Sequence, residues 1–223
     1  MRSTLVLDWN GTLLDDTELI LQTINSIIVR FNKTSLDLAT FQEKCEFPFS
    51  TLYRNLGLTE NEIAIVQNDG NALFHDYYES RVGSVLPRDG IGEMLKLAMT
   101  HSMRVIVLSN HICDPIKIAL RRLGIENYIA DVLAYDSRAT QYKDMTKGEK
   151  LAAYIKTNGI DPSLTFIVGD TPEECSISRI LRLKSVAITG GVVSDARLRD
   201  AQPDYLIRSH FELEGIFAKN GIL

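Results

Sequence analysis

Two short apolar segments of the sequence each end in an aspartate. Residues 4–7 precede Asp8, and residues 164–169 precede Asp170. Such runs are typical of strands buried on both faces of a parallel sheet, and ligands bind at the carboxyl ends of the strands in open α/β sheets. A carboxylate at that edge serves as a metal ligand, a base or a nucleophile. The alternative for the first segment is a β-hairpin, because the Asn-Gly dipeptide that follows is also a hairpin signal.

A hydroxyl group and a lysine are placed to complete an anion site at the same edge. Ser109 and Asn110 follow a third apolar run, residues 103–108. A Thr-x-x-Glu capping box begins at Thr146 and puts Lys147 in the first turn of a helix, where a nearby anion would offset its repulsion from the helix dipole. Clustered carboxylates favour a hard divalent cation such as Mg²⁺, and a lysine with a hydroxyl favours a phosphate.

These residues are positioned by an α/β domain whose sequence is interrupted by a helical insertion. From Leu19 to Phe31 apolar residues recur at helical spacing, in a helix that Asp16 would cap. Further helices are predicted over 36–45, 49–56 and 59–81. The fold class predicted is a doubly wound, mostly parallel, Rossmann-like sheet over residues 1–15 and 86–223, with a helical domain inserted over residues 16–85.

Composition narrows the function classes. The chain has 223 residues, 45% of them hydrophobic, and a net charge of -5, which argues against a general nucleic-acid or anionic-membrane binder. No apolar run reaches the ~18 residues of a membrane span, and the N-terminus has no signal-peptide profile, so the protein is predicted to be cytoplasmic. The three cysteines are widely spaced and odd in number, which predicts free thiols.

Several segments resemble motifs of the haloacid dehalogenase (HAD) superfamily. Residues 8–15, Asp-Trp-Asn-Gly-Thr-Leu-Leu-Asp, are similar to its first motif, Asp-x-Asp-Gly-Thr-Leu-x-Asp, at every fixed position except Asn10. Ser109 is similar to the second motif, Lys147 to the third, and Gly-Asp-Thr-x-x-Glu at 169–174 to the fourth. The resemblance covers nearly the whole chain and is strongest to the phosphoglycolate phosphatase-like branch, in which the helical insertion is a cap that closes over the active site.

This resemblance implies a Mg²⁺-dependent phosphohydrolase for a small phosphate ester, acting as a monomer or homodimer. Asp8 would attack phosphorus to form an aspartyl-phosphate. Mg²⁺ would be held by the Asp8 carboxylate, the Asn10 main-chain carbonyl and Asp170, with Glu174 behind them; alternatively Glu174 serves only to cap its helix. The phosphate would be bound by Ser109, Asn110 and Lys147, and the alternatives to Lys147 are Lys143 and Lys150.

Asn10 departs from the family pattern at a catalytic position. The Asp usually found there protonates the leaving oxygen and later activates water, and an amide does neither. Two other functions therefore stay open: a phosphate-binding regulatory protein with impaired catalysis, and a C–P bond hydrolase similar to phosphonoacetaldehyde hydrolases. The second is favoured by Trp9 but requires a Schiff-base lysine, for which the candidates are Lys33 and Lys44.

The inserted helices carry the candidates for substrate contacts. Six aromatic residues are predicted either to line a pocket or to form the core of the helical domain: Phe47, Phe49, Tyr53, Phe74, Tyr77 and Tyr78. His111, in the loop after Ser109, is predicted to face solvent or the inserted helices, with substrate contact as the alternative.

Overall fold

The first strand, β1, lies in the middle of a six-stranded sheet in which every neighbouring pair is parallel. The computed structural model describes residues 2–141 and 144–223, with the backbone alone at 69–71. The strand order is β3-β2-β1-β4-β5-β6, and the strands are β1 (Thr4–Asp8), β2 (Arg104–Ile112), β3 (Asp131–Tyr135), β4 (Thr165–Gly169), β5 (Lys184–Ile188) and β6 (Tyr205–Ile207). The predicted doubly wound parallel sheet is confirmed. The order reverses between β1 and β4, which is where such sheets bind ligands.

Helices cover both faces of the sheet because alternate residues of the central strands point to opposite sides. Leu5 and Leu7 pack into one apolar cluster with helices α5 and α10, whereas Val6 packs into another with α7 and α8. The ten α-helices of the described residues are α1 (Thr17–Ile28), α2 (Leu38–Lys44), α3 (Phe49–Asn55), α4 (Glu60–Glu79), α5 (Ile91–Thr100), α6 (Cys113–Arg122), α7 (Lys147–Asn158), α8 (Pro172–Leu181), α9 (Asp195–Asp200) and α10 (Leu213–Lys219).

Helices α1 to α4 share a separate apolar cluster. Ile20, Ile24 and Phe41 are buried in it, and it continues onto Val192 and Val193 in the segment after β5. The helical segment therefore lies against the carboxyl end of the sheet. Its assignment as a cap domain with boundaries at residues 16 and 85 stays a prediction. Within the described part of the chain, no helix is both long and apolar enough to cross a membrane.

Strand β2 continues past the residue at which the sequence predicts its end. It extends to Ile112, with a register irregularity: Leu108 pairs with Leu133, but Ile112 pairs with Tyr135. Four positions on β2 therefore correspond to two on β3, as in a β-bulge. Bulges of this kind re-aim side chains beside functional sites, and this one contains Ser109.

Candidate active site

A buried ion-pair cluster lies at the end of β1. Lys147 Nζ is 2.6 Å from Asp8 Oδ1 and also donates to Glu174 Oε1, and all three side chains are at least nine-tenths buried. The predicted capping box fixes the lysine, because Thr146 N donates to Glu149 Oε2 at 2.8 Å and α7 then begins at Lys147. The cluster therefore joins β1 to the N-termini of α7 and α8.

The electrostatics of this cluster leave it short of positive charge. Burial alone lowers the pKa of Lys147, but the Asp8 and Glu174 carboxylates outweigh it and hold that pKa well above its ordinary value. Burial raises the pKa of Asp8 well above its ordinary value; Lys147 opposes this shift, while Glu174 and Asp170 add to it. Lys147 contacts two buried carboxylates, and a third, Asp170, lines the same cavity. A divalent cation would neutralise the negative charge that remains.

Asp170, at the end of β4, is held from two sides. Its Oδ1 accepts from Thr12 Oγ1 at 3.0 Å, and its Oδ2 accepts from the main-chain N–H of Val192 at 2.7 Å. A Cβ atom at Gly11 or Gly191 would overlap the Asp170 carboxylate, and Gly11 also has a positive φ of 67°. Glycine at both positions is therefore what lets the two loops close on this side chain.

Asn10 is part of a hydrogen-bond network that the sequence does not suggest. Its Nδ2 donates to Asp16 Oδ2 at 2.5 Å and to Tyr78 Oη at 2.9 Å, while the Tyr78 hydroxyl itself donates to Asp16. Asp16 also accepts from Gly11 N at 2.7 Å. The prediction that the Asp16 side chain caps α1 is wrong, because it makes no capping hydrogen bond and closes the loop after β1 instead.

The Asp16 carboxylate is buried, and this changes its acidity. Burial raises the pKa of Asp16 to about 6, although the hydrogen bonds from Tyr78, Asn10 and Gly11 all lower it. Since Tyr78 is on α4, this carboxylate connects the inserted helices to the loop that carries Asn10.

One cavity brings most of the predicted site residues together. Its lining includes Asp8, Asn10, Ser109, Asn110, Lys147 and Asp170, together with Phe47, Thr171, Glu173 and Val192. Glu174 lies behind Lys147 and accepts from Thr171 Oγ1 at 2.7 Å. Ser109 Oγ accepts from His111 N at 3.0 Å, and Asn110 Nδ2 donates to Glu173 Oε2 at 2.8 Å.

The alternative lysines differ in their placement. Lys150 is 3.1 Å from the centroid of the Tyr135 ring, outside the residues that line the cavity. Lys143 lies outside the described residues. Among the lysines that the structure describes, Lys147 is the one that contacts Asp8.

Two of the six aromatic candidates reach this site. Phe47 lines the cavity, and Tyr78 contacts Asn10. Phe49 and Phe74 pack on each other with ring centroids 5.3 Å apart, in the apolar cluster of the inserted helices. His111 is buried and packs against Tyr78 of α4, in agreement with the prediction that it faces the inserted helices. The three cysteines are free, as predicted.

Sequence reasoning missed residues that support the loop after β1. Arg88 Nη1 donates to the Gly11 carbonyl and its Nη2 to the Thr189 carbonyl, both at 2.6 Å. Arg88 follows a proline in a segment that otherwise signals only a turn. Asp16, the other missed residue, precedes a helix and therefore has the sequence signature of an ordinary cap.

Comparison with known proteins places this geometry in a family. A family model described as haloacid dehalogenase-like hydrolase matches residues 5–188. The chain belongs to the haloacid dehalogenase-like hydrolase family. The match runs through the strands that carry Asp8 and Asp170 and through Lys147.

Three proteins similar to this HAD-like hydrolase are distant from it in sequence. It is 22% identical over 220 residues to a phosphoglycolate phosphatase of Mesorhizobium japonicum, a match that covers 95% of this chain and 92% of the relative. A haloacid dehalogenase-like family hydrolase from Streptococcus pneumoniae superposes with a TM-score of 0.81 at 18% identity, over 97% of this chain and 98% of the other. A predicted phosphoglycolate phosphatase from Haemophilus somnus superposes with a TM-score of 0.75 at 16% identity, over 96% of this chain and 97% of the other. The structural matches establish the fold.

Proposed function

We propose that this HAD-like hydrolase is a Mg²⁺-dependent phosphohydrolase that acts on a small phosphorylated metabolite through an aspartyl-phosphate. The observation that carries the proposal is the contact between Asp8 and Lys147 at the topological switch point of the sheet, with Asp170 lining the same cavity. A carboxylate paired with a lysine at that edge is suited to receive a phosphoryl group.

The residues present fit a bound Mg²⁺. The donor set consists of hard oxygen atoms from Asp8, Asp170 and the main chain of Asn10, with Glu174 behind them. The cluster also has more buried carboxylates than cations. When bound, Mg²⁺ would neutralise charge on the phosphate oxygens and on the carboxylates.

The chain's own residues account for the covalent steps. An Asp8 oxygen attacks phosphorus, the bond from phosphorus to the ester oxygen breaks, and an aspartyl-phosphate forms. Water then attacks the phosphorus and the bond from phosphorus to Asp8 breaks, which releases inorganic phosphate and regenerates the Asp8 carboxylate. Over the two steps the hydroxyl of water goes to phosphorus, and its other proton reaches the ester oxygen through solvent. Lys147 and the Ser109 hydroxyl bind the phosphate oxygens, and the Asn110 amide is placed beside them. Asn10 supplies no proton, so esters with good leaving groups should react fastest.

A cleft beside the cavity would hold the remainder of the substrate. It is lined by residues 45–48, by the first turns of α7 and α8, and by Arg197. Because the Mesorhizobium japonicum relative is a phosphoglycolate phosphatase, phosphoglycolate is the first substrate to test.

A second candidate function is phosphate binding without efficient turnover, and the observation that favours it is the Asn10 amide at the acid/base position. The C–P hydrolase alternative has no such support, because Lys147 is the lysine that lines the cavity within the described part of the chain. Neither Lys33 nor Lys44 does so.

The test measures phosphate release from phosphoglycolate and a panel of phosphorylated metabolites, with Mg²⁺ and with EDTA. We expect Mg²⁺-dependent hydrolysis that is lost in Asp8→Asn. Asp15→Asn is the matched control, because Asp15 belongs to the same loop but is exposed. Turnover by Asp8→Asn would refute the aspartyl-phosphate. Bound phosphate without turnover on any ester would favour the regulatory function.

A further inference from the structure

A second group of metal-ligating side chains lies apart from the cavity, where α4 meets the segment after Ser109. His75 and Glu79 are one turn apart on α4, and His111 is in the bulge of β2. One potential ligand atom from each of the three lies within 4.8 Å of the other two. His75 and His111 are almost completely buried, and their rings stack with centroids 5.4 Å apart.

The distances in this group match those between ligands of one metal ion. Glu79 Oε1 is 3.0 Å from His111 Nε2 and 3.7 Å from His75 Nδ1. Two ligands at the usual Zn²⁺ distances in a tetrahedral arrangement lie about 3.3 Å apart. All three atoms lie within 4.8 Å of one another, so the side chains would have to approach by ~1.5 Å at most for all three to contact one ion.

The hydrogen bonds around His75 place a proton on its Nε2 and leave its Nδ1 on the side of Glu79. Gln141 Nε2 donates to the Asn110 carbonyl at 2.9 Å, so Gln141 Oε1, which is 3.0 Å from His75 Nε2, is an acceptor there. His75 Nε2 then carries a proton, and in the neutral imidazole the lone pair is on Nδ1, which is 3.7 Å from Glu79 Oε1. That Nδ1 is buried and has no hydrogen-bond partner. Proteins usually orient a metal-binding histidine through a hydrogen bond from the ring nitrogen that does not bind the metal.

We infer that His75, Glu79 and His111 form a binding site for a transition-metal ion of the Zn²⁺ class, which links α4 to the bulge of β2. Two imidazoles and one carboxylate select Zn²⁺ or its neighbours over Mg²⁺, which prefers oxygen ligands. Three protein ligands leave a fourth position for water. The inference does not depend on the proposed phosphatase function.

A bound ion would join two segments that lie next to the candidate active site. Tyr78, next to Glu79 in sequence, packs edge-on against His111 at 5.6 Å and also contacts Asn10. A bound ion would therefore fix the inserted helices against the segment that carries Ser109, and it would stabilise the folded protein against heat, since it binds the native arrangement.

The test titrates the full chain, first stripped of metal, with Zn²⁺ by calorimetry in excess Mg²⁺, which occupies the carboxylate site. Thermal unfolding and the absorption of a Co²⁺ complex are measured in parallel. We expect one Zn²⁺ per chain, a raised melting temperature, and a Co²⁺ spectrum without thiolate charge transfer, which excludes the cysteines. Affinity should fall by at least about tenfold in His111→Asn and in Glu79→Gln.

His101→Asn is the matched control, because His101 is exposed at the end of α5 and should bind Zn²⁺ as the parent chain does. Glu79→Gln is nearly isosteric and Glu79 is partly exposed, so this variant keeps the test valid if a histidine variant fails to fold. Unchanged Zn²⁺ affinity in folded Glu79→Gln and His111→Asn would overturn the inference, as would the absence of Zn²⁺ binding in the parent chain.

Discussion

The substitution Asn10→Asp would restore the carboxylate that the HAD motif usually has, and the structure indicates what it would cost. The new carboxylate would replace an amide nitrogen that lies 2.5 Å from Asp16 Oδ2. Two ionised carboxylates about 3 Å apart repel each other by ~5 kcal/mol at the effective dielectric constant of a protein site. We expect the pair to retain one proton instead.

The size of the effect follows from the acidity of Asp16. In the parent protein the pKa of Asp16 is about 6, so above pH 6 Asp16 is ionised in the folded state. In the unfolded state it is already ionised at that pH. In the folded variant, the introduced carboxylate and Asp16 together keep a proton that the unfolded state has lost. Each pH unit above 6 then lowers the free energy of unfolding of the variant by about 1.4 kcal/mol relative to the parent protein. The stability deficit of the variant should grow by ~3 kcal/mol between pH 6 and pH 8, and fall again on acidification.

The assay is urea unfolding of the parent and variant proteins at pH 6, 7 and 8. The double variant Asn10→Asp/Asp16→Asn exchanges the amide and the carboxylate, so it should show no such growth. It should also be the variant in which the rate on an alkyl phosphate rises by ~10-fold or more, because its acid/base carboxylate has no second carboxylate beside it. A deficit for Asn10→Asp that is independent of pH, or a double variant no more stable than Asn10→Asp at pH 8, would refute the reasoning.

Four further outcomes are expected. Lys147→Ala should lose most of the phosphatase rate, whereas Lys150→Ala should keep it; equal rates would contradict the choice of lysine. Asp170→Ala should raise the Mg²⁺ concentration for half-maximal rate, measured by metal titration. Tyr78→Phe should raise the KM by releasing Asn10 from α4, with unchanged circular dichroism. Burial lowers the pKa of His210 to about 4, so His210 stays neutral in the folded protein at pH values at which it is already protonated in the unfolded protein. Stability should therefore fall by about 3 kcal/mol as the pH drops from 6.5 to 4, and His210→Asn should flatten that loss in calorimetry.

The sequence was sufficient to predict the sheet and the edge at which the site lies. The apolar run at residues 4–7 is typical of a strand buried on both faces, and the polar residue that follows such a strand is placed by the strand itself. The capping box at Thr146 likewise specifies where α7 starts, and hence where Lys147 stands. These are local signals, contained in fewer than ten consecutive residues.

Contacts between distant segments could not be predicted in this way. Asp16 and Tyr78 are 62 positions apart, and nothing in the local pattern of either distinguishes a cap or a core aromatic from a hydrogen-bonded pair. The bulge in β2 is similar, since it depends on the register with β3. His111 lies in this bulge and is buried against α4, so the histidine-glutamate group emerges only from the three-dimensional structure.

The position of β1 also has a consequence for synthesis of the protein on the ribosome. Asp8 aligns with Leu108, and Leu7 with Val168, so the strand that carries the proposed nucleophile has no sheet partner until roughly a hundred further residues have been made. At ~5 to 20 residues per second the wait is on the order of ten seconds, during which α1 to α4 are complete and their local contacts are available. The apolar run of β1 therefore stays without a sheet partner during this time, and the site forms only when β4 has been made.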